Sequence, residues 1–436
     1  MTESRIAEVP PEDFRIARHG KPLFVSPLTG HSFVDDDARV LYDNRLDRVA
    51  AATAAERELP SFEIAGPRKM LFFDPARSRA AVLTAGGLCP GLNEVIKFLT
   101  ITLHSRYGVP EVYGVPYGYR GLNPARGLLP VKLTPENVDS IHENGGTVLG
   151  SSRGAEDPAV MVDTLLGWGV NMLFCIGGDG TARGCHAIAG EIARRRLPIS
   201  VIAIPKTIDN DIGFIDSSFG VATAVLAAGR IITCAHNEAK GAYNGVGLIK
   251  VMGRDSGFIA ATASLANPFV NYCLIPEDPF TLGEGPRALL PHLKRRLAVK
   301  HHAVIIVAEG AGQEFFAEGG EGARDASGNL LNKDIGVFLK SRIADYFRAE
   351  GIEVNLKYFD PGYQIRSVQA EGEDAVFCAL LAQNAVHAAL SGRTDVMIGH
   401  WDGSFTHVPI PLAIRSRKKV DLQSQLWQGV RNFTCF

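Results

Sequence analysis

The chain has 436 residues, 46% of them hydrophobic and 21% charged, with a formal net charge of −2. That is the profile of a globular protein with more residues than one core usually serves, so two lobes are expected. The balanced charge offers no basic footprint for nucleic acid. The first 25 residues carry Glu3, Arg5, Glu8, Glu12, Asp13, Arg15 and Arg18, which leaves no apolar secretory segment.

The most apolar helical stretch, Phe219 to Ala235, is short and contains Arg230, so no membrane partner and a cytoplasmic location are expected. Seven irregularly spaced cysteines without a CxxC pair read as reduced core residues.

Residues 1–75 hold Pro10-Pro11, scattered charges and no sustained apolar period. They read as an N-terminal extension with one exposed helix over Ala50 to Glu58. From Arg79 the pattern changes. Ala81-Val82-Leu83 is a short buried strand, Gly86-Gly87 a turn, and Leu92, Val95, Ile96, Leu99 and Leu103 recur at helical spacing. The unit repeats as a strand over Asn171 to Ile176, the turn Gly177-Gly178-Asp179-Gly180, and a helix with Cys185, Ile188, Ala189 and Ile192 on one face. A strand over Ile199 to Ile204 follows. Later apolar runs, Val246 to Met252, Ala303 to Ala308, Val354 to Phe359 and Asp395 to Ile398, alternate with helical segments. The expected class is α/β, with parallel-rich sheets covered by helices. The Gly- and Glu-rich stretch from Gly310 to Gly328 reads as a surface insertion.

In open parallel sheets, ligands bind beyond the carboxyl ends of the strands, where glycine admits close approach and helix amino termini favour phosphate. Gly86-Gly87 alone is equally well explained by turn geometry. Gly177 to Thr181 says more, because it sets a carboxylate inside a glycine run; read alone, Asp179 is either a helix cap or a ligand of a phosphate-bound cation. Directly after a strand, Pro205-Lys206-Thr207-Ile208-Asp209-Asn210-Asp211 gathers a lysine, a hydroxyl and two carboxylates. Phosphoryl transfer to an alcohol needs a base, a divalent cation and further positive charge, and these segments carry such groups.

Those two loops resemble the signatures of the phosphofructokinase family. Gly86 to Asn93, Tyr117 to Leu122, Gly145 to Arg153, Val251 to Ile259 and Asp360 to Arg366 resemble it too, in the family's order, so the likeness spans about Arg79 to Ile398. The resemblance implies a phosphofructokinase-like fold of two α/β lobes: 76–222 with 365–415 for the phosphoryl donor, and 223–364 with 416–436 for the sugar phosphate. It implies glycolytic transfer from ATP to the 1-hydroxyl of fructose 6-phosphate with Mg²⁺, in a homo-oligomer. Gly87, Arg153, Gly154, Gly178, Asp179, Gly180 and Thr181 would line the ATP phosphates, with Asp179 holding Mg²⁺. Asp209 would be the base, beside Thr207, Ile208 and Asp211. Met252, Gly253 and Arg254 would contact the sugar, Arg254 also neutralising the moving phosphoryl group. Glu309 would bind sugar hydroxyls, and Lys357, Tyr363, Gln364, Ile365 and Arg366 would surround the 6-phosphate.

Without such neighbours, Arg254 would read as a surface arginine, Glu309 as a capping acid and Tyr363 as a core aromatic. Retention of Asp179, Asp209, Asp211 and Arg254 argues against a catalytically silent subunit. Two positions depart from the best-known members. Gly245 replaces an arginine of the bacterial enzymes, and Lys206 replaces glycine, a lysine shared with pyrophosphate-dependent relatives. Gly180 favours ATP over the alternative donor, pyrophosphate, because the pyrophosphate enzymes carry aspartate there.

Overall fold

The computed structural model describes residues 9–319 and 331–435. The chain runs through β1 (Arg39–Leu41), α1 (Leu46–Ala54), β2 (Ser61–Ile64), β3 (Arg79–Thr84), α2 (Leu92–Ile101), β4 (Glu111–Val115) and β5 (Val131–Leu133). It continues with α3 (Pro158–Gly167), β6 (Met172–Gly177), α4 (Asp179–Arg194), β7 (Ser200–Pro205), α5 (Val221–Lys240), β8 (Gly245–Val251), α6 (Phe258–Ala266) and β9 (Tyr272–Leu274). The remainder is α7 (Leu289–Lys300), β10 (His302–Ala308), α8 (Ile335–Ala349), β11 (Asn355–Phe359), α9 (Gly362–Arg366), α10 (Gly372–Leu390), β12 (Val396–Trp401), β13 (Ser404–Pro409) and α11 (Gln425–Phe433).

The residues fall into two compact units. The first runs through Thr207 and takes in Ile212–Gly220 and Ser367–Arg417; the second comprises Ile208–Asp211, Val221–Arg366 and Lys418–Phe436.

In the first unit, nine strands among the described residues lie in the order β1-β2-β13-β12-β7-β6-β3-β4-β5. The run β12-β7-β6-β3-β4 is parallel, and antiparallel strands finish both ends. The central strands β6 and β7 are buried at every residue, as strands covered on both faces must be. Helix α2 buries Leu92, Val95, Ile96 and Leu99, and α4 buries Cys185, Ile188, Ala189 and Ile192, each on a stripe of helical period.

The N-terminal 75 residues do more than precede this sheet, since β1 and β2 are two of its strands. Glu63 on β2 is buried with Arg68, Arg393 and His407. It accepts from His407 Nδ1 at 2.8 Å, from Arg18 at 2.6 Å and from Arg393. Burial pushes the Glu63 carboxyl up, but His407 and the arginines outweigh it and hold it far below the usual range. Burial also drives the His407 imidazole below its ordinary value, with Glu63 pulling the other way. Helix α1 is exposed as expected, yet it occupies Leu46–Ala54 instead of Ala50 to Glu58. Glu56 has a φ of 51°, a left-handed turn that no right-handed helix can contain.

In the second unit, β9-β10-β8-β11 forms a fully parallel sheet. Its core gathers Val246, Leu248, Ile305, Leu293, Leu339 and Phe347 between sheet and helices. The expected insertion from Gly310 to Gly328 includes a short helix at Gln313–Gly319, and the rest of it, from residue 320, lies outside the described residues. No helix among the described residues is long and apolar enough to cross a membrane, and all seven cysteines are free.

Candidate active site

On the first unit, the chain turns after β3 through Gly86, whose φ of 88° is open to glycine at little cost. The turn is stitched to its neighbours: the Gly86 N–H donates to Ser152 O at 3.0 Å, Ser151 Oγ donates to Gly86 O at 2.6 Å, and Ser152 Oγ to Tyr117 O at 2.6 Å. Three motifs separated in sequence thus become one surface that continues into Arg153 and Gly154. The ammonium of buried Lys206 donates to Gly87 O at 2.6 Å, and its backbone N–H to Gly177 O at 2.9 Å. Both glycine turns are therefore tied to the end of β7. Thr207 follows, its carbonyl accepting from Ser218 Oγ at 2.5 Å.

Gly178 is the N-cap of α4, and Asp179, Gly180 and Thr181 form its first turn. The helix amino terminus thus presents backbone donors beside the glycine run. Asp179 is not the cap. Its carboxylate meets Arg183 at 3.1 Å and Arg417 at 3.6 Å. A Cβ added at Gly180 would meet nothing within 4 Å, so nothing in the protein's own packing demands glycine there.

On the second unit, strand register does the assembling. Val251 on β8 pairs with Ala308 on β10, so Met252 and Glu309 emerge side by side. Ile249 pairs with Phe359 on β11, which brings Asp360 level with Lys250. Gly253 has a φ of 128°, and a side chain there would strike Ser256 O, so the turn into Arg254 requires glycine. A pocket of about 160 Å³ opens at these strand ends, lined by Lys250, Val251, Met252, Glu309, Asp360, Gly362, Tyr363 and Arg366. The Arg366 guanidinium lies 4.6 Å from the centre of the Tyr363 ring, a cation–π contact.

Of the residues named from sequence, Met252, Glu309, Tyr363 and Arg366 line this pocket. Lys357 does not. It pairs with Gly247, three residues before the pocket residue Lys250 on β8 and roughly 10 Å back along the sheet. Gln364 is exposed on α9, while Ile365 is buried. The cation that lines the pocket beside Arg366 is Lys250, which sequence reasoning passed over; its signal was a lone charge in the apolar strand GVGLIKV. Gly245 has a local cause, because a Cβ there would lie 2.0 Å from Ala239 O. An arginine at that position has no room.

The turn Ile208–Asp211 belongs to this unit. Burial lifts the Asp209 carboxyl to about 7, helped by the charges of Asp211 and Glu309 and opposed by the backbone N–H and charge of Arg254. Glu309 is raised as well, by its own burial, with Arg254, Lys250 and Arg366 pulling against it. Two carboxylates are thus biased by one arginine, and the Asp209 carboxyl is lifted towards neutral pH, the range in which a general base would work.

Residues 79–389 match the family model described as phosphofructokinase. The chain belongs to the phosphofructokinase family. Among its relatives, the ATP-dependent 6-phosphofructokinase of Borreliella burgdorferi is 49% identical over 85% of this chain and 84% of its own length. That of Amycolatopsis methanolica is 44% identical over 97% and 95%. Among solved phosphofructokinases, the pyrophosphate-dependent protein of Marinobacter aquaeolei superposes with a TM-score of 0.66 at 19% identity, over 82% of this chain and 90% of that one. The Saccharomyces cerevisiae protein gives 0.62 at 22%, over 82% and 47%. At such identities the structural likeness speaks for the fold, and the family resemblance read from the motifs agrees with it.

Proposed function

We propose that this protein is an ATP-dependent 6-phosphofructokinase that moves the terminal phosphoryl group of ATP onto the 1-hydroxyl of fructose 6-phosphate in glycolysis. The observation that carries the chemistry is Asp209, a carboxylate poised near pH 7 with Arg254 beside it. As the 1-hydroxyl oxygen attacks the γ-phosphorus, Asp209 takes its proton and the bond to the β-phosphate oxygen breaks, releasing ADP. Arg254 offsets the charge that accumulates on the transferring group. Glu309 accepts from the sugar hydroxyls, while Tyr363 and Arg366 receive the 6-phosphate in the pocket with Met252. Thr207 and Asp211 orient the reacting groups.

The ATP phosphates are assigned to Gly87, Arg153, Gly154 and the first turn of α4. Asp179 suits a Mg²⁺ ion that arrives with the nucleotide, since this ion takes one or two carboxylates and completes its shell with phosphate oxygens and water. When bound, the ion supplies positive charge across the phosphates.

ATP is favoured as donor by the names of relatives at 44% identity and above and by the open space around Gly180. A coupled assay of fructose 1,6-bisphosphate formation, with ATP or pyrophosphate as sole donor at equal Mg²⁺, tests this reading. A higher kcat/KM with pyrophosphate would reverse the donor assignment. We also expect a homo-oligomer, which sedimentation at micromolar concentration checks.

A further inference from the structure

The turn that carries the base is not held by its own strand alone. Asn210 has a φ of 52°, a left-handed conformation that Asn adopts more readily than most residues but that still depends on its surroundings. Two distant segments of the second unit grip this turn. Ser256, at the end of the MGRDS segment, donates from Oγ to the carbonyl of Asp209 at 2.7 Å. Lys418, about two hundred residues further along the chain, donates from its backbone N–H to the carbonyl of Asp211 at 2.8 Å and from Nζ to Asn210 Oδ1 at 3.1 Å.

These two segments are themselves joined. A single oxygen of Glu277, Oε1, accepts from the Gly257 N–H at 3.0 Å and from the Val420 N–H at 2.8 Å. One carboxylate therefore sets the spacing between the residue after Ser256 and a residue two beyond Lys418. The Lys418 ammonium also lies 5.2 Å from the centre of the Phe258 ring, which fixes its stem over the start of α6. A surface lysine on a chain end would show none of this convergence.

We propose that Lys418, braced by Glu277, is a positioning residue for the base: it clamps Asn210 and Asp211 so that the Asp209 carboxylate keeps the direction from which it receives the proton of the 1-hydroxyl. This rests on Asp209 being the base. Positioning of this kind matters because misplacement by an ångström near the reacting atoms is enough to cost orders of magnitude in rate. Lys418 acts through another residue, so its loss affects turnover and leaves sugar binding in place.

The test is a double-mutant cycle with purified full-length protein, measuring kcat, KM for fructose 6-phosphate and thermal unfolding. Lys418→Met keeps the stem over Phe258 and removes the ammonium. It should lower kcat by roughly ten- to a hundredfold with KM within about twofold, and Lys418→Arg should recover part of the loss. In an Asp209→Asn background, Lys418→Met should cost nothing further, because the group it positions is gone. An equal loss in both backgrounds, or a change confined to KM, would overturn the proposal. Should Lys418→Met fail to fold, Asn210→Gly removes the same hydrogen bond from the other end at a backbone conformation glycine accepts, and it should reproduce the kcat-only loss; unchanged kcat would again overturn the clamp. If Asp209→Asn alone retains near wild-type turnover, the base assignment has failed, a result distinct from additivity in the cycle.

Discussion

Lys250 Nζ lies 2.9 Å from the carboxylate of Asp360 and 2.8 Å from that of Asp334. One ammonium on β8 thus fastens both the start of the segment bearing Tyr363 and Arg366 and the N-cap of α8, where Asp334 receives the Val337 N–H. Removing it leaves two facing carboxylates and frees the segment proposed to receive the 6-phosphate. Lys250→Met should raise KM for fructose 6-phosphate about tenfold, near 1.4 kcal/mol, and leave KM for ATP within about twofold. Steady-state titration of each substrate checks this; an unaltered sugar-phosphate KM would show that the segment is held without it.

Arg366 is the pocket's guanidinium, and a dianion rewards its two-pronged geometry. Arg366→Ala should erase most of the preference for fructose 6-phosphate over fructose, whereas Lys357→Ala, set back along β11, should change that preference little. Competition between the two sugars measures both variants. A larger loss from Lys357 would transfer the phosphate to that side of the sheet.

As the proposed base, Asp209 must be ionised to accept a proton, and burial raises its carboxyl to about 7, so kcat/KM should fall as pH drops through about 7. The same shift carries a stability cost. The folded protein holds this proton more tightly than the unfolded chain, so folding is disfavoured as pH rises from the ordinary carboxyl range towards 7, and the full penalty stands above that. Asp209→Asn should reduce turnover by about 10² to 10⁴ yet melt higher than wild type at pH 8, with the difference vanishing below pH 4. Activity profiles and melting curves across pH provide the check, and an unchanged Tm at pH 8 would contradict the raised carboxyl.

Gly180→Asp places a carboxylate where nothing beyond the chain neighbours and the helix's own backbone stands within 4 Å of the new Cβ, in the first turn of α4 where acids are favoured. The fold should therefore tolerate it. ATP-dependent activity should be abolished far more than any pyrophosphate-dependent activity; equal losses would mean that this residue does not choose the donor.

Glu63→Ala would remove the buried one of two carboxylates shared by the buried guanidinium groups of Arg68 and Arg393, leaving them the exposed Asp36. Breaking a buried pair from one side costs about 3–5 kcal/mol, so chemical denaturation should register a loss of that size. A loss under about 1 kcal/mol would show that the N-terminal strands are held by the sheet alone.

The sequence by itself determined the α/β class, because buried parallel strands read as short apolar runs and helices as stripes of period 3.6, and both survive in β6, β7, α2 and α4. It also offered candidate segments for the chemistry, since glycine runs and the Asp209–Asp211 turn are local in the chain. What it did not contain was register. Lys250 became a pocket residue and Lys357 did not because Ile249 faces Phe359 across the sheet, a pairing between residues more than a hundred positions apart. The same holds for Lys418, whose contacts to Asn210 and Asp211 join chain positions that no spacing rule connects, and for Glu63, whose partners arrive from β13 and from Arg393. Backbone hydrogen bonds over long separations decide which side chains share a site, and only the folded chain closes them.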